Sequence, residues 1–310
     1  MNFEEADLNE IKLSMPLSIQ FDLTYQCNLN CHFCYNSSGT CRKDEMNFIE
    51  WKELCDEIVR SGGVFQCILS GGEPLIKCRR MFQILDILGG DNTSFILNTN
   101  GTLITDDIAD KLLEYRWYWI QVSLDSHIES VHNCIRGNTM SYQKTVISIK
   151  KLISRGLPVV IACTLTNDNC DSIEEMAEFA ADMGASGIIF SEVFWSGRAS
   201  QNDIMNTNNR RKLTETVDML HNRYIGRMDV NLGRTAEEEI ADFYQKLPTG
   251  IVVRPNGDVK LNCVLPYIIG NIRKDSITDI WERVYRKEVI KSIIQNLDLN
   301  NKMPDDIVLF

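Results

Sequence analysis

The sequence predicts an α/β fold built on a parallel sheet, and three observations carry that prediction. Short, mostly apolar segments recur six times between residues 18 and 192, each bounded by turn residues. Helical apolar patterns fill the intervals between them. The alternation of the two is what a parallel sheet covered by helices requires, since each crossover must return the chain to the same end of the sheet.

The elements follow in order. Residues 18–23 (SIQFDL) read as the first strand. Asn47 with Glu50 three residues on is a capping-box pattern. Trp51, Leu54, Cys55, Ile58 and Val59 then recur at helical spacing until Gly62 and Gly63 stop the helix. Residues 64–69 form the second strand and 81–88 a helix; 94–98 form the third strand and 105–115 a helix. Residues 119–124 are the fourth strand. Val146, Ile149, Leu152 and Ile153 mark a helix ended by Gly156 and Pro158, and 159–164 are the fifth strand. Asp171 and Glu174 repeat the capping pattern ahead of Ile173, Met176, Ala177 and Ala180, Gly184 ends that helix, and 187–192 are the sixth strand. After Arg198 the pattern changes. Helices are expected over 210–224 and 237–247, with a short strand at 229–232. Residues 251–254 and 258–261 flank Pro255-Asn256-Gly257, a hairpin signal, and a last helix is expected over 276–294. The division is an N-terminal extension (1–17), a βα unit (18–200), a helical linker (201–247) and a small α+β C-terminal extension (248–310).

Composition excludes several classes. The 310 residues are 44% hydrophobic and 24% charged, which rules out a disordered chain. No run of about 18 apolar residues exists, so no membrane span is expected. The net charge of −11 argues against a nucleic-acid surface. Eleven cysteines, an odd number without an export signal, point to metal binding or buried thiols in the cytoplasm rather than to disulfides.

Two motifs carry chemistry. Cys27, Cys31 and Cys34 form a C-x3-C-x2-C cluster directly after the first strand. Three thiolates in eight residues can converge on a soft metal centre and leave one coordination position open, as catalytic sites do. A zinc site completed by His32 is the alternative reading. Ser70-Gly71-Gly72-Glu73-Pro74 follows the second strand. Its glycines admit close backbone approach and Glu73 offers a carboxylate to an ammonium group.

Together with Asn98-Thr-Asn-Gly-Thr102 after the third strand, Val122-Ser-Leu-Asp125 after the fourth and Ile135-Arg-Gly137, these motifs resemble those of the radical S-adenosylmethionine (radical SAM) superfamily. The resemblance implies a partial (β/α)6 TIM-like barrel. It implies that Cys27, Cys31 and Cys34 bind three irons of a [4Fe-4S] cluster whose fourth iron S-adenosylmethionine chelates. Phe33 would pack near the adenine, and Gly71, Gly72 and Glu73 would receive the methionine amino group. Asn100 and Ser123 match positions facing the ribose or methionine, and Arg136 matches a partner of the methionine carboxylate. The implied activity is reductive cleavage to a 5′-deoxyadenosyl radical that abstracts a substrate hydrogen, fed by a flavodoxin-type reductase.

The C-terminal run from Arg254 to Cys263, then Leu265–Ile272 and Trp281, is similar to a truncated SPASM-type domain, and Ser196-Gly-Arg-Ala199 to the junction before it. Cys263 is the single cysteine after residue 170, so an auxiliary cluster is not expected. Cys263 is instead a candidate catalytic hydrogen donor, against the alternative of a leftover core cysteine. The expected substrate is a ribosomally made peptide, to be crosslinked, epimerised or otherwise rearranged. A leader peptide would then need a separate binding protein or the barrel surface. The alternatives are a small-molecule epimerase or dehydrogenase using Cys263, and an inactive metal-binding scaffold.

Overall fold

The computed structural model describes residues 13–40, 42–200, 207–245, 248–263, 265–284 and 306–309. The six expected strands are β1 (Ser18–Asp22), β2 (Gln66–Ser70), β3 (Ser94–Thr99), β4 (Trp117–Ser123), β5 (Val159–Leu165) and β6 (Gly187–Glu192). They pair in chain order, all parallel. The fold is the expected parallel-sheet partial barrel with a small α+β addition. Two features extend it. β7 (Asp229–Leu232), the short strand expected within the linker, pairs parallel with β6. β8 (Gly250–Val253) pairs parallel with the opposite edge strand, β1. β9 (Asp258–Lys260) and β10 (Tyr267–Asn271) continue from β8 antiparallel, and β11 (Ile307–Val308) adds to β10. The described strands therefore form one sheet.

The strands sort their side chains by parity. Ile19, Phe21, Cys67, Leu69, Phe95, Leu97, Ile120 and Val122 are fully buried against the helical layer. Gln20, Asn98 and Gln121, on the other parity, line the concave side. The first helix, α1 (Phe48–Arg60), starts with the expected capping box: Asn47 Oδ1 accepts from the Ile49 and Glu50 amides, and Glu50 Oε2 accepts from the Asn47 amide. Its Trp51 is buried edge-on to Phe21, with ring centroids 5.0 Å apart. Burying an aromatic of this kind is worth about 1.5–3 kcal/mol.

The remaining crossovers use α2 (Cys78–Gly89), α3 (Asp106–Leu112), α4 (Glu129–Arg136), α5 (Ser141–Ser154) and α6 (Ile173–Met183). The Asp171 cap expected for α6 is not formed. The N-cap is Ser172, which makes no side-chain cap bond because its Oγ donates back to the Asn169 carbonyl. α7 (Thr207–Tyr224) and α8 (Ala236–Gln245) flank β7. α9 (Ile277–Val284) begins where expected; the rest of the predicted 276–294 helix lies outside the described residues. Trp281 on α9 is buried and donates to the Leu13 carbonyl at 2.8 Å, tying the C-terminal unit to the chain ahead of β1.

Candidate active site

The C-terminal ends of β1–β6 open on a cavity of about 330 Å³. Cys27, Cys31 and Cys34 line it together, although each comes from irregular loop. Donors reach two of the sulfurs. Cys27 Sγ accepts from the Leu29 amide at 3.5 Å and the Asn100 amide nitrogen at 3.9 Å. Cys31 Sγ accepts from Arg136 Nη1 at 3.7 Å. Burial pushes the Cys27 thiol up to about 11. It raises Cys31 too, against the opposing pull of Arg136. The bare Cys27 thiol is thus protonated near neutrality, and a metal must displace that proton.

The loop is clamped from β6. Arg198 donates through Nε to the Cys31 carbonyl (2.9 Å), through Nη1 to the Ser38 carbonyl (2.5 Å) and through its amide to the Cys34 carbonyl (3.0 Å). Gly197 lets this happen. Its φ is +56°, and a Cβ there would lie 2.3 Å from the Tyr35 carbonyl oxygen and 2.4 Å from that of Cys34. The glycine loop after β2 is stitched to the same segment, Gly72 donating to the Thr24 carbonyl at 2.7 Å and Glu73 to that of Gln26 at 2.8 Å. Gly71 and Gly72 line the cavity.

Glu73 lies behind that wall. It is fully buried, and its carboxylate accepts from the Leu75 amide (3.1 Å), Thr99 Oγ1 (2.8 Å) and the Asn100 amide (2.8 Å). Burial raises it to about 7 in spite of those bonds. The expectation put this carboxylate against an ammonium group; here it joins β2, β3 and the 3-10 turn Pro74–Lys77. Phe33, Asn100 and Ser123 all line the cavity, and the Arg136 guanidinium sits 5.3 Å from the Phe33 ring centroid.

Arg136 lines the cavity as well, but its main partner is Asp125. Nε and Nη2 donate to the two carboxylate oxygens at 2.5 and 2.7 Å, with both side chains nearly inaccessible. Asp125 Oδ1 also accepts from the Thr164 amide at 3.0 Å. His132 accepts the Asp125 amide on Nδ1 at 3.2 Å, and burial lowers it to about 4. It is therefore neutral beside the pair. Cys263 also lines the cavity, and burial pushes its thiol up to about 11.

Sequence reasoning missed Asp125 as the partner of Arg136, and missed Asn36, Ser38 and Glu192 as cavity residues. Gln20, Asn98 and Gln121 were findable: each is an amide inside an apolar strand, on the parity opposite to the core.

The donor set suits a cluster. Among the described residues no three His, Cys, Asp or Glu side chains close on one point as a single-ion shell does. A [4Fe-4S] cube takes one thiolate on each of three irons, so its cysteines surround a body. Three thiols on one cavity, with N–H groups aimed at two of the sulfurs, fit that requirement.

Residues 22–180, just over half of the chain, match the Radical SAM superfamily, and the chain belongs to it. Enzymes of this class use a [4Fe-4S] cluster and S-adenosylmethionine. Residues 245–303 match SPASM, an iron–sulfur cluster-binding domain. The chain is 31% identical over 175 residues to the mycofactocin maturase MftC of Mycolicibacterium smegmatis, covering 56% of this chain and 44% of that one. It thus spans less than half the length of that relative. It is 26% identical over 296 residues to the AdoMet-dependent heme synthase of Methanosarcina barkeri, covering 88% and 84%. The structure of Streptococcus suis SuiB bound to precursor peptide SuiA shares the fold, with a TM-score of 0.73 at 16% identity over 87% of this chain and 65% of that one. No helix among the described residues is long and apolar enough to cross a membrane.

Cys263 is the only cysteine within the SPASM match.

Proposed function

We propose that this radical SAM enzyme modifies a peptide by hydrogen abstraction from one residue, with Cys263 returning a hydrogen atom. The observation that carries the reading is that Cys263 lines the same cavity as Cys27, Cys31 and Cys34. MftC is a maturase and SuiB was captured with a precursor peptide, which supports a peptide substrate here.

When bound, the cluster and S-adenosylmethionine supply the one-electron chemistry that removes a substrate hydrogen. The chain's residues do the rest. Cys27, Cys31 and Cys34 hold the irons. Gly71 and Gly72 present backbone at the cavity wall, while Asn100, Ser123 and Phe33 supply polar and ring contacts for the cofactor. Arg136, fixed by Asp125, keeps a positive charge beside Cys31. Cys263 is a thiol at neutral pH and so carries a transferable S–H. Transfer breaks S–H and forms C–H on the substrate carbon, leaving a thiyl sulfur. One electron and one proton from a flavodoxin-type reductase restore the thiol. Delivery from the face opposite to abstraction inverts the carbon.

The test is anaerobic reconstitution, iron counting, and turnover of a synthetic peptide pool in D2O. Roughly four irons per chain, 5′-deoxyadenosine and deuterium in the product are expected. Cys263→Ala should still form 5′-deoxyadenosine but lose product; unchanged product ends the donor assignment. Absence of 5′-deoxyadenosine from the native enzyme ends the radical reading. A small-molecule substrate is the second reading, favoured by the near full-length match to the heme synthase. Turnover of small molecules with none of the peptide pool would establish it.

A further inference from the structure

The loop after the last triad cysteine holds two unsatisfied side chains. Asn36 is 6% exposed and Ser38 is 2% exposed, and both line the cavity. Asn36 directs its amide nitrogen to Asp22 Oδ2 at 3.2 Å and to the Gly71 carbonyl at 3.4 Å. Both of those partners are acceptors, which fixes the nitrogen on that side and the oxygen on the other. Asn36 Oδ1 then has no partner, and neither does Ser38 Oγ. A buried polar atom left empty is costly, so two in one cavity wall are places that a ligand can complete. Ser37 between them has φ +47°, a strained value for a non-glycine residue.

This wall faces the C-terminal unit. Asp22, the Asn36 partner, is 3.7 Å from the Arg254 guanidinium just after β8. Tyr35, next in chain, lines the cavity with Cys34 and Cys263. The wall therefore reaches the C-terminal unit through Asp22 and the glycine loop through Gly71. The Arg198 clamp holds the Ser38 backbone, so its hydroxyl is presented from a fixed position.

We propose that Asn36 and Ser38 form a subsite that grips one backbone amide of a peptide substrate beside Cys263. This rests on the peptide reading above. The Asn36 oxygen accepts the substrate N–H and the Ser38 hydroxyl donates to a substrate carbonyl. Such a grip reads main chain, tolerates many side chains, and sets the reacting carbon at a constant place between abstraction and return.

The test uses the reconstituted full chain and a fluorescein-labelled pool of randomised octapeptides, with a backbone N-methylated pool as control. Ser38→Ala removes one hydroxyl and leaves the clamped backbone intact, so the test turns on this variant. Its affinity for the pool should fall about two- to tenfold, and further with Asn36→Ala added. The N-methylated pool should bind the native protein as weakly as the plain pool binds the single variant Asn36→Ala. Iron content and S-adenosylmethionine affinity of Ser38→Ala should stay at native values. Equal pool binding by native and Ser38→Ala proteins overturns the subsite, as does a native protein that ignores the pool. Weakened S-adenosylmethionine binding with unchanged pool binding reassigns the wall to the cofactor and also overturns it. 5′-deoxyadenosine formation by the native enzyme, scored separately, tells failure of the radical reading from failure of the subsite.

Discussion

Replacing Asp125 by alanine tests how the site is held. The carboxylate is inaccessible and takes two hydrogen bonds from Arg136 and one from the Thr164 amide. Removing it leaves a guanidinium that is 9% exposed with Cys31 Sγ as its nearest remaining acceptor, 3.7 Å away. An uncompensated buried charge costs about 3–5 kcal/mol. The orphaned Thr164 amide adds about 1 kcal/mol or more. The total is a large share of the 5–15 kcal/mol typical of a folded domain. Urea unfolding of the cluster-free protein, followed by circular dichroism, measures it. The double variant Asp125→Ala, Arg136→Met should recover at least half of the loss, because an apolar pair of similar volume removes the unpaired charge along with the bond. A single-variant cost below about 1 kcal/mol, or a double variant less stable than the single, would refute the assignment of Asp125 as the anchor of Arg136.

Gly197→Ala should lower iron uptake on reconstitution to well under half of native, since its Cβ collides with the carbonyls of Cys34 and Tyr35; native iron content in that variant would contradict the clamp. Alanine at Cys27, Cys31 or Cys34 should each abolish the brown chromophore, whereas alanine at exposed Cys134 should leave it. His132 predicts a pH effect. Its folded value of about 4, depressed by burial, lies below the unfolded value near 6.5, so the unfolded chain binds the extra proton. Its contribution is full above pH 6.5 and is lost as pH falls through 4, about 3 kcal/mol in all. His132→Gln should flatten that part of the stability profile, measured by urea midpoints across the range.

Much of the fold was legible because the signals were local. Apolar runs marked β1–β6, and Asn47 with Glu50 announced α1 by a cap that the backbone uses as written. The α6 start was misread because Asp171 has the right spacing while the chain geometry hands the N-cap to Ser172. β11 is two residues long and has no periodicity to read; it exists because β10 offers it an edge. The cysteine spacing and the glycine loop located the cavity. What joins Arg136 to Asp125, or Arg198 to the carbonyls of Cys31 and Ser38, depends on tertiary approach across 11 and 167 positions, and no local pattern encodes it. Glu73 illustrates the limit: its motif was visible, but its full burial follows from β3 closing over it.

The pairing of β8 with β1 has a mechanical consequence. Strand register is a discrete variable, and a slip of one residue would send every side chain of β8 to the opposite face of the sheet. With Ser18 opposite Gly250 and Phe21 opposite Val253, the ladder delivers Arg254 to Asp22 at the end of β1. Cys263, nine residues further on, sits in the connection between β9 and β10, strands that continue the same sheet outward from β8. The C-terminal unit is thus seated like a gauge block: its place against β1 is fixed by the same ladder that forms the sheet.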